Sequence, residues 1–274
     1  MKCHLNWFLC FTLIQFFAGL LCVYYNWLHR EAVPQRISPL PWRTSWINFL
    51  LFVWLFLFII NLPVGSLVGK FHREGQFFPI TTHFVCQLLL AFALIMAMKR
   101  NIFHYASTLV IKGHCWARTL RVTFFFYLFL NPVLFAISLL WIAILLLFRR
   151  FGFTISLQGQ EFLQFLQLHP PRHLIILAAF SAVVLAPTIE ELFFRGGIYR
   201  YLIGKISPNA SALVTGSVFA LLHWNLLAAI PLFFFSVFLT RFYEREQSLL
   251  VPIIVHGLFN GNSILFALMQ SSAT

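Results

Sequence analysis

Residues Leu174–Tyr199 read L-I-I-L-A-A-F-S-A-V-V-L-A-P-T-I-E-E-L-F-F-R-G-G-I-Y. A membrane helix needs about 20 mainly apolar residues, and this run supplies them. It also carries Glu190, Glu191 and Arg195. An ionisable side chain at membrane depth is costly unless it faces protein or a water-filled cavity, so such a residue marks a functional site by default. Neighbouring helix positions point about 100° apart, so the two carboxylates face different surroundings. Glu191 and Arg195 are four apart with the acid first, the favourable order for a helical ion pair. Glu190 is left as the freer carboxylate.

The rest of the chain agrees with a membrane setting. Of its 274 residues, 61% are hydrophobic and 9% charged, with 35 Phe and 8 Trp. A soluble domain is about 25% charged, and no soluble core would hide this much apolar surface. Strands of a membrane barrel alternate apolar and polar residues, whereas the apolar runs here are unbroken. The expected fold is therefore all-α, a polytopic membrane helix bundle. The net charge of +12 does not indicate nucleic acid, because the basic residues are scattered among the loops. There they orient the helices and meet anionic headgroups of the membrane lipids. No Asp occurs, which excludes proteases built on an aspartate pair. The 5 Cys show no metal-binding spacing.

Hydropathy predicts about eight transmembrane helices, near residues 5–28, 46–68, 77–98, 122–148, 173–199, 208–227, 229–242 and 249–269. The seventh is short. Pro132 is a kink candidate in the fourth. Ser207 before Pro208 is an N-cap with proline at the first helical position. Residues 99–121 and 161–168 suit the membrane interface. The division expected is residues 1–172 as a scaffold of about four helices and 173–274 as a core of about four more, in one integral membrane unit. Most Lys and Arg fall in the loops after odd-numbered helices. The positive-inside rule then puts those loops in the cytoplasm and both termini outside.

Two further titratable side chains fall within apolar runs. His223 closes Phe219–His223 (F-A-L-L-H), late in the expected sixth helix, and His256 opens H-G-L-F-N, ending at Asn260, in the eighth. Residues four apart share a helix face, which pairs Phe219 with His223 and His256 with Asn260. A lone buried His is more often a satisfied core residue than a catalyst. Two Glu, one Arg, two His and one Asn on three apolar helices are different, because burying them costs least when they face one another. Such a cluster suits a proton or ion relay, a metal site or a hydrolytic centre. Two His and one Glu would leave a zinc ion an open position for water. No H-E-x-x-H is present, so the usual zinc-protease helix is missing.

Glu190-Glu191…Arg195, Phe219…His223 and His256…Asn260, in this order, resemble the CPBP intramembrane proteases. These include the type II CAAX prenyl endopeptidases and the bacterial Abi proteins. The resemblance covers about 100 residues, from near His173 to Met269; residues 1–172 carry no motif. It implies an endopeptidase cutting a membrane-associated or lipidated, CAAX-like protein or peptide. It makes Glu190 the general base for a water, aided by His223, and gives the oxyanion to His256 and Asn260. Glu191 and Arg195 would hold the helix and tune Glu190, with Phe219 in a structural part. Whether the enzyme is glutamate-type or a metalloprotease stays open, with zinc a possible cofactor and Glu190, His223 and His256 the candidate ligands. In a bacterium the protein would sit in the plasma membrane. A proton- or ion-coupled transporter using the Glu/His cluster as relay is the alternative. Transporters often show paired halves with broken helices, and no such symmetry is visible. A non-catalytic membrane scaffold is the third possibility.

Overall fold

The computed structural model describes residues 13–19, 21, 39–57, 84–85, 87–90, 92, 116–157 and 171–271. All regular structure among them is helical. We label the longer helices α1 (Trp46–Leu57), α2 (Trp116–Arg150), α3 (Arg172–Leu202), α4 (Pro208–Leu221), α5 (Leu226–Glu246) and α6 (Leu250–Ser271). Over these stretches α2, α3, α5 and α6 are long and apolar enough to cross a membrane, and α1 is a shorter apolar helix. The expected first and third helices are described only in part, as helical residues near 13–21 and 84–92. The expected interfacial segment at 161–168 lies outside the described residues, as does most of 99–121. The end of that link, from Trp116, instead belongs to α2.

Aromatic contacts hold the expected scaffold half against the core. Phe56 of α1 stacks on Phe193 of α3, and Phe49 stacks on Tyr201. The segment before α1 is fastened to the end of α3. Trp42 N–H donates to Arg200 O at 2.9 Å, and Arg200 Nε donates to Leu40 O at 2.6 Å. On the other side, Phe126 of α2 stacks on Phe242 of α5 at 4.1 Å. Polar side chains fasten apolar helices where lipid offers no hydrophobic drive for association. Gln15 Nε2 donates to Tyr127 Oη at 3.1 Å and Gln15 Oε1 accepts from Asn131. Ser181 of α3 likewise donates to Gln87.

The α4–α5 pair differs from the sequence expectation. Ser207 caps α4 by accepting from Ala210 N–H, with Pro208 in the first turn. However, α4 ends at Leu221 rather than Leu227, and α5 begins at Leu226 and runs to Glu246, so it is not short. Asn225 is the cause, because its side chain accepts from Ala228 N–H at 3.0 Å and starts a new helix. Trp224 makes the reversal with φ 47°, a conformation that glycine normally supplies at a helix end. No Gly or Pro marks the break, so an unbroken apolar run conceals it. Fourteen residues of α4 rise about 21 Å, less than the about 30 Å hydrocarbon core. A turn at such depth is tolerated where it is packed by protein or lines a water-filled cavity.

Helix α3 is not uniformly α-helical. Ser181–Leu185 and Leu192–Tyr199 are π-helical, and Ala186–Glu191 between them is α-helical. Such insertions are rare and concentrate at functional sites. Helix α6 crosses the first π segment closely at Gly257, where an added Cβ would stand 2.4 Å from Val183 O. One turn on, a Cβ at Gly261 would meet only Val183 Cγ2, at 3.7 Å. Gly257→Ala should therefore push α6 away and destabilise the purified protein by about 1–3 kcal/mol, the usual cost of overpacking. Gly261→Ala should be tolerated. Thermal unfolding of both variants in detergent checks this, and equal midpoints would contradict the crossing described.

Candidate functional site

Three motifs from α3, α4 and α6 meet around Phe219, which is fully buried. Its ring lies 4.7 Å from that of His223, 6.0 Å from that of His256 and 4.9 Å from that of Phe194. The Arg195 guanidinium sits 5.4 Å from its centroid. Cation–π attraction of this kind strengthens when the cation is desolvated. Phe219 is thus the hub on which both histidines and the buried cation converge.

Beside it stands a charged group sealed from solvent. Arg195 Nη1 donates to Glu191 Oε1 at 2.9 Å, and both side chains have 0% exposure. Nη2 of Arg195 donates to Ser236 O at 2.7 Å and to Ser236 Oγ at 2.8 Å. A buried ion pair holds only when geometry is good and further hydrogen bonds satisfy its remaining atoms. Ser236 supplies that help from α5, a fourth helix that the motif pattern does not include. Its signal in the sequence is a single hydroxyl in the apolar run F-F-F-S-V-F.

The same carboxylate oxygen holds His256. Nδ1 of His256 is 2.9 Å from Glu191 Oε1. Carboxylate cannot donate, so Nδ1 carries the hydrogen, and the ring is fixed with Nε2 turned the other way. Nε2 lies 3.9 Å from Glu190 Oε2. That oxygen is buried and has no hydrogen-bond partner among the described residues, while the Glu190 side chain as a whole is 24% exposed. Glu190 therefore differs from its neighbour in the way the helix geometry predicts, one carboxylate locked in an ion pair and the other partly open.

His223 sits not in a helix but in the turn after α4, where its Nδ1 is 2.7 Å from Phe219 O. A carbonyl only accepts, so Nδ1–H donates and the Nε2 lone pair is available for other chemistry. Asn260 is placed differently from the other motif residues. Its Nδ2 donates to Ala182 O at 2.9 Å, a backbone group of the first π segment of α3. Among the described residues no three His, Cys, Asp or Glu side chains gather as a metal-binding group. His256 offers one ring nitrogen, because Glu191 occupies the other.

Residues 172–262 match the family model described as "Type II CAAX prenyl endopeptidase Rce1-like". The membrane-embedded CAAX protease MroQ of Staphylococcus aureus (strain USA300) is 33% identical over 101 residues, covering 34% of this chain and 40% of that protein. The UPF0177 protein YbdI of Lactococcus lactis subsp. lactis (strain IL1403) is 33% identical over 85 residues, covering 31% of this chain and 45% of its own length. The chain thus spans less than half the length of these curated relatives. No solved structure matches. With four helices among the described residues able to cross a bilayer, the chain is a multi-pass integral membrane protein whose residues 172–262 are similar to the Rce1-like type II CAAX prenyl endopeptidases.

Proposed function

We propose that the chain is an intramembrane endopeptidase that uses Glu190 to activate water against a peptide bond. The substrate is a membrane-associated or lipidated, CAAX-like protein or peptide, and the membrane lipids are its other partners. One observation carries the reading. Glu190 Oε2 is buried without a hydrogen-bond partner among the described residues and lies 3.9 Å from His256 Nε2, beside a sealed Glu191–Arg195 pair. The Glu190 side chain is 24% exposed where that of Glu191 is sealed, so of the two carboxylates Glu190 is the one a substrate water can reach. The likeness to a protein named as a membrane-embedded CAAX protease supports the same reaction class.

The steps balance with side chains alone. Glu190 takes a proton from water as the water oxygen attacks the scissile carbonyl carbon. His223 Nε2, which the Nδ1 bond to Phe219 O leaves open, accepts a hydrogen bond from the water's second O–H, which stays on the water oxygen and becomes the hydroxyl of the new carboxyl group. The carbonyl electrons move onto oxygen. His256 donates to that oxyanion through Nε2, which calls for the doubly protonated ring, since Glu191 already holds Nδ1–H. When the C–N bond breaks, the proton on Glu190 passes to the leaving amine. A base and an aimed donor are what amide hydrolysis needs.

The test is purified protein in detergent with a library of lipidated and membrane peptides, read by mass spectrometry. Glu190→Gln should lower turnover by about 10²–10⁴-fold, the usual worth of a general base, without changing the thermal midpoint. No cleavage of any peptide by the wild type, together with a proton flux in vesicles that Glu190→Gln abolishes, would replace the protease reading with a relay transporter.

Glu191→Gln should behave in the opposite manner. It leaves Arg195 buried without its counter-charge, a loss of about 3–5 kcal/mol in comparable buried pairs. Its thermal midpoint and folded yield should both fall below those of Glu190→Gln. Equal stability of the two variants would remove the distinction drawn between the carboxylates.

A further inference from the structure

Pro187 lies three residues before Glu190 and has no N–H to give its helix. An α-helical bond would run from position 187 back to Val183 O, and a π-helical bond back to Ala182 O. Ala186 N–H does not fill the gap, because it donates to Ser181 O in the π register. Ala182 O thus loses its donors in both registers, and Val183 O loses its α-register donor, at the point where the helix returns from π to α. Freed carbonyls in a membrane helix must be satisfied by neighbouring helices, side chains or water.

Helix α6 meets both, donating to the first and packing on the second. Asn260 Nδ2 donates to Ala182 O at 2.9 Å, across 78 positions of sequence. Gly257, three residues earlier on the same face, packs on Val183 O so closely that a Cβ would stand 2.4 Å away. His256, next to Gly257, binds Glu191. One short stretch of α6 therefore grips α3 at the broken carbonyls and at the carboxylate beyond them. The α-helical turn Ala186–Glu191 that carries both Glu is held from each end of this grip.

We infer that Asn260 is a positioning residue whose side-chain amide replaces the hydrogen bond lost at Pro187 and so sets where Glu190 points. Its effect on catalysis passes through Ala182 and the turn after it, not through contact with the oxyanion. The catalytic consequence rests on Glu190 serving as the base of a protease; the structural consequence does not.

A double-mutant cycle separates the two roles. Pro187→Ala restores an N–H that can serve Val183 O or Ala182 O. In the wild-type background Asn260→Ala should lower the thermal midpoint in detergent and cut kcat by about 10²-fold with KM little changed. In the Pro187→Ala background the same change should cost about tenfold less and move the midpoint less, because the carbonyls no longer depend on Asn260. Contacting residues couple in this way, whereas independent ones add. Asn260→Asp, which turns an acceptor toward Ala182 O, should melt below Asn260→Ala, and it tests the proposal even where Pro187→Ala fails to fold. Equal losses of kcat in both backgrounds, or unchanged midpoints in Asn260→Ala and Asn260→Asp, would overturn it and return Asn260 to the oxyanion. If the wild type cleaves nothing, the protease reading fails, and the midpoints alone decide the role of Asn260.

Discussion

A carboxylate and a guanidinium, both with no exposed surface, form the constraint around which the C-terminal helices are arranged. Glu191 and Arg195 lie four apart on α3 and meet at 2.9 Å. Desolvating two charges is expensive, and their attraction repays it only when the remaining hydrogens and lone pairs find partners. Some of those partners come from elsewhere in the fold, while Glu191 Oε2 and Arg195 Nε have no hydrogen-bond partner among the described residues. Ser236 on α5 takes Nη2 of Arg195, Phe219 on α4 offers its ring face, and His256 on α6 takes the second bond to Glu191. Four helices are thereby fixed to one another through a single buried pair. The pair also divides labour between adjacent acids, since one is consumed in holding the bundle and Glu190 is left partly open.

A second constraint comes from the backbone. Pro187 and the π segments on either side of Ala186–Glu191 break the uniform helix. Each added residue per turn rotates the rest of the helix, so the direction of Glu190 depends on where the bulge is held. Helix α6 holds it with small and polar groups, Gly257 and Asn260, where a larger apolar side chain would neither fit nor donate. Small residues allow close backbone approach between membrane helices, and polar ones fasten them. The residues that aim the site are thus as local to the α3–α6 crossing as those that would do chemistry.

Much of this architecture is legible in the sequence. Unbroken apolar runs give membrane helices, and i,i+4 spacing gives the Glu191–Arg195 pair, because both depend on helix geometry alone. The Ser207 cap and Pro208 are readable for the same reason. The hidden features depend on tertiary partners. Ser236 is one hydroxyl in a phenylalanine run, and nothing local says that it faces Arg195. The end of α4 at Leu221 is made by Asn225 and a left-handed Trp224 without the usual Gly or Pro, so His223 reads as helical when it lies in a turn. The π segments leave no composition signal, although Pro187 hints that a carbonyl nearby needs another donor. Asn260 shares a face with His256, which suggests a common task. Its amide instead meets a carbonyl that only the crossing of α3 and α6 brings within reach.

The central claim is that water, activated by a carboxylate set in this lattice, cuts a peptide bond within the membrane. The most direct measurement is a single-turnover cleavage of a lipidated membrane peptide by chelator-treated protein in ¹⁸O-labelled water. Cleavage should survive chelation, and the new carboxyl terminus should carry one ¹⁸O atom. Cleavage that stops on chelation and returns with zinc would contradict the claim, as would a wild-type protein that releases no product.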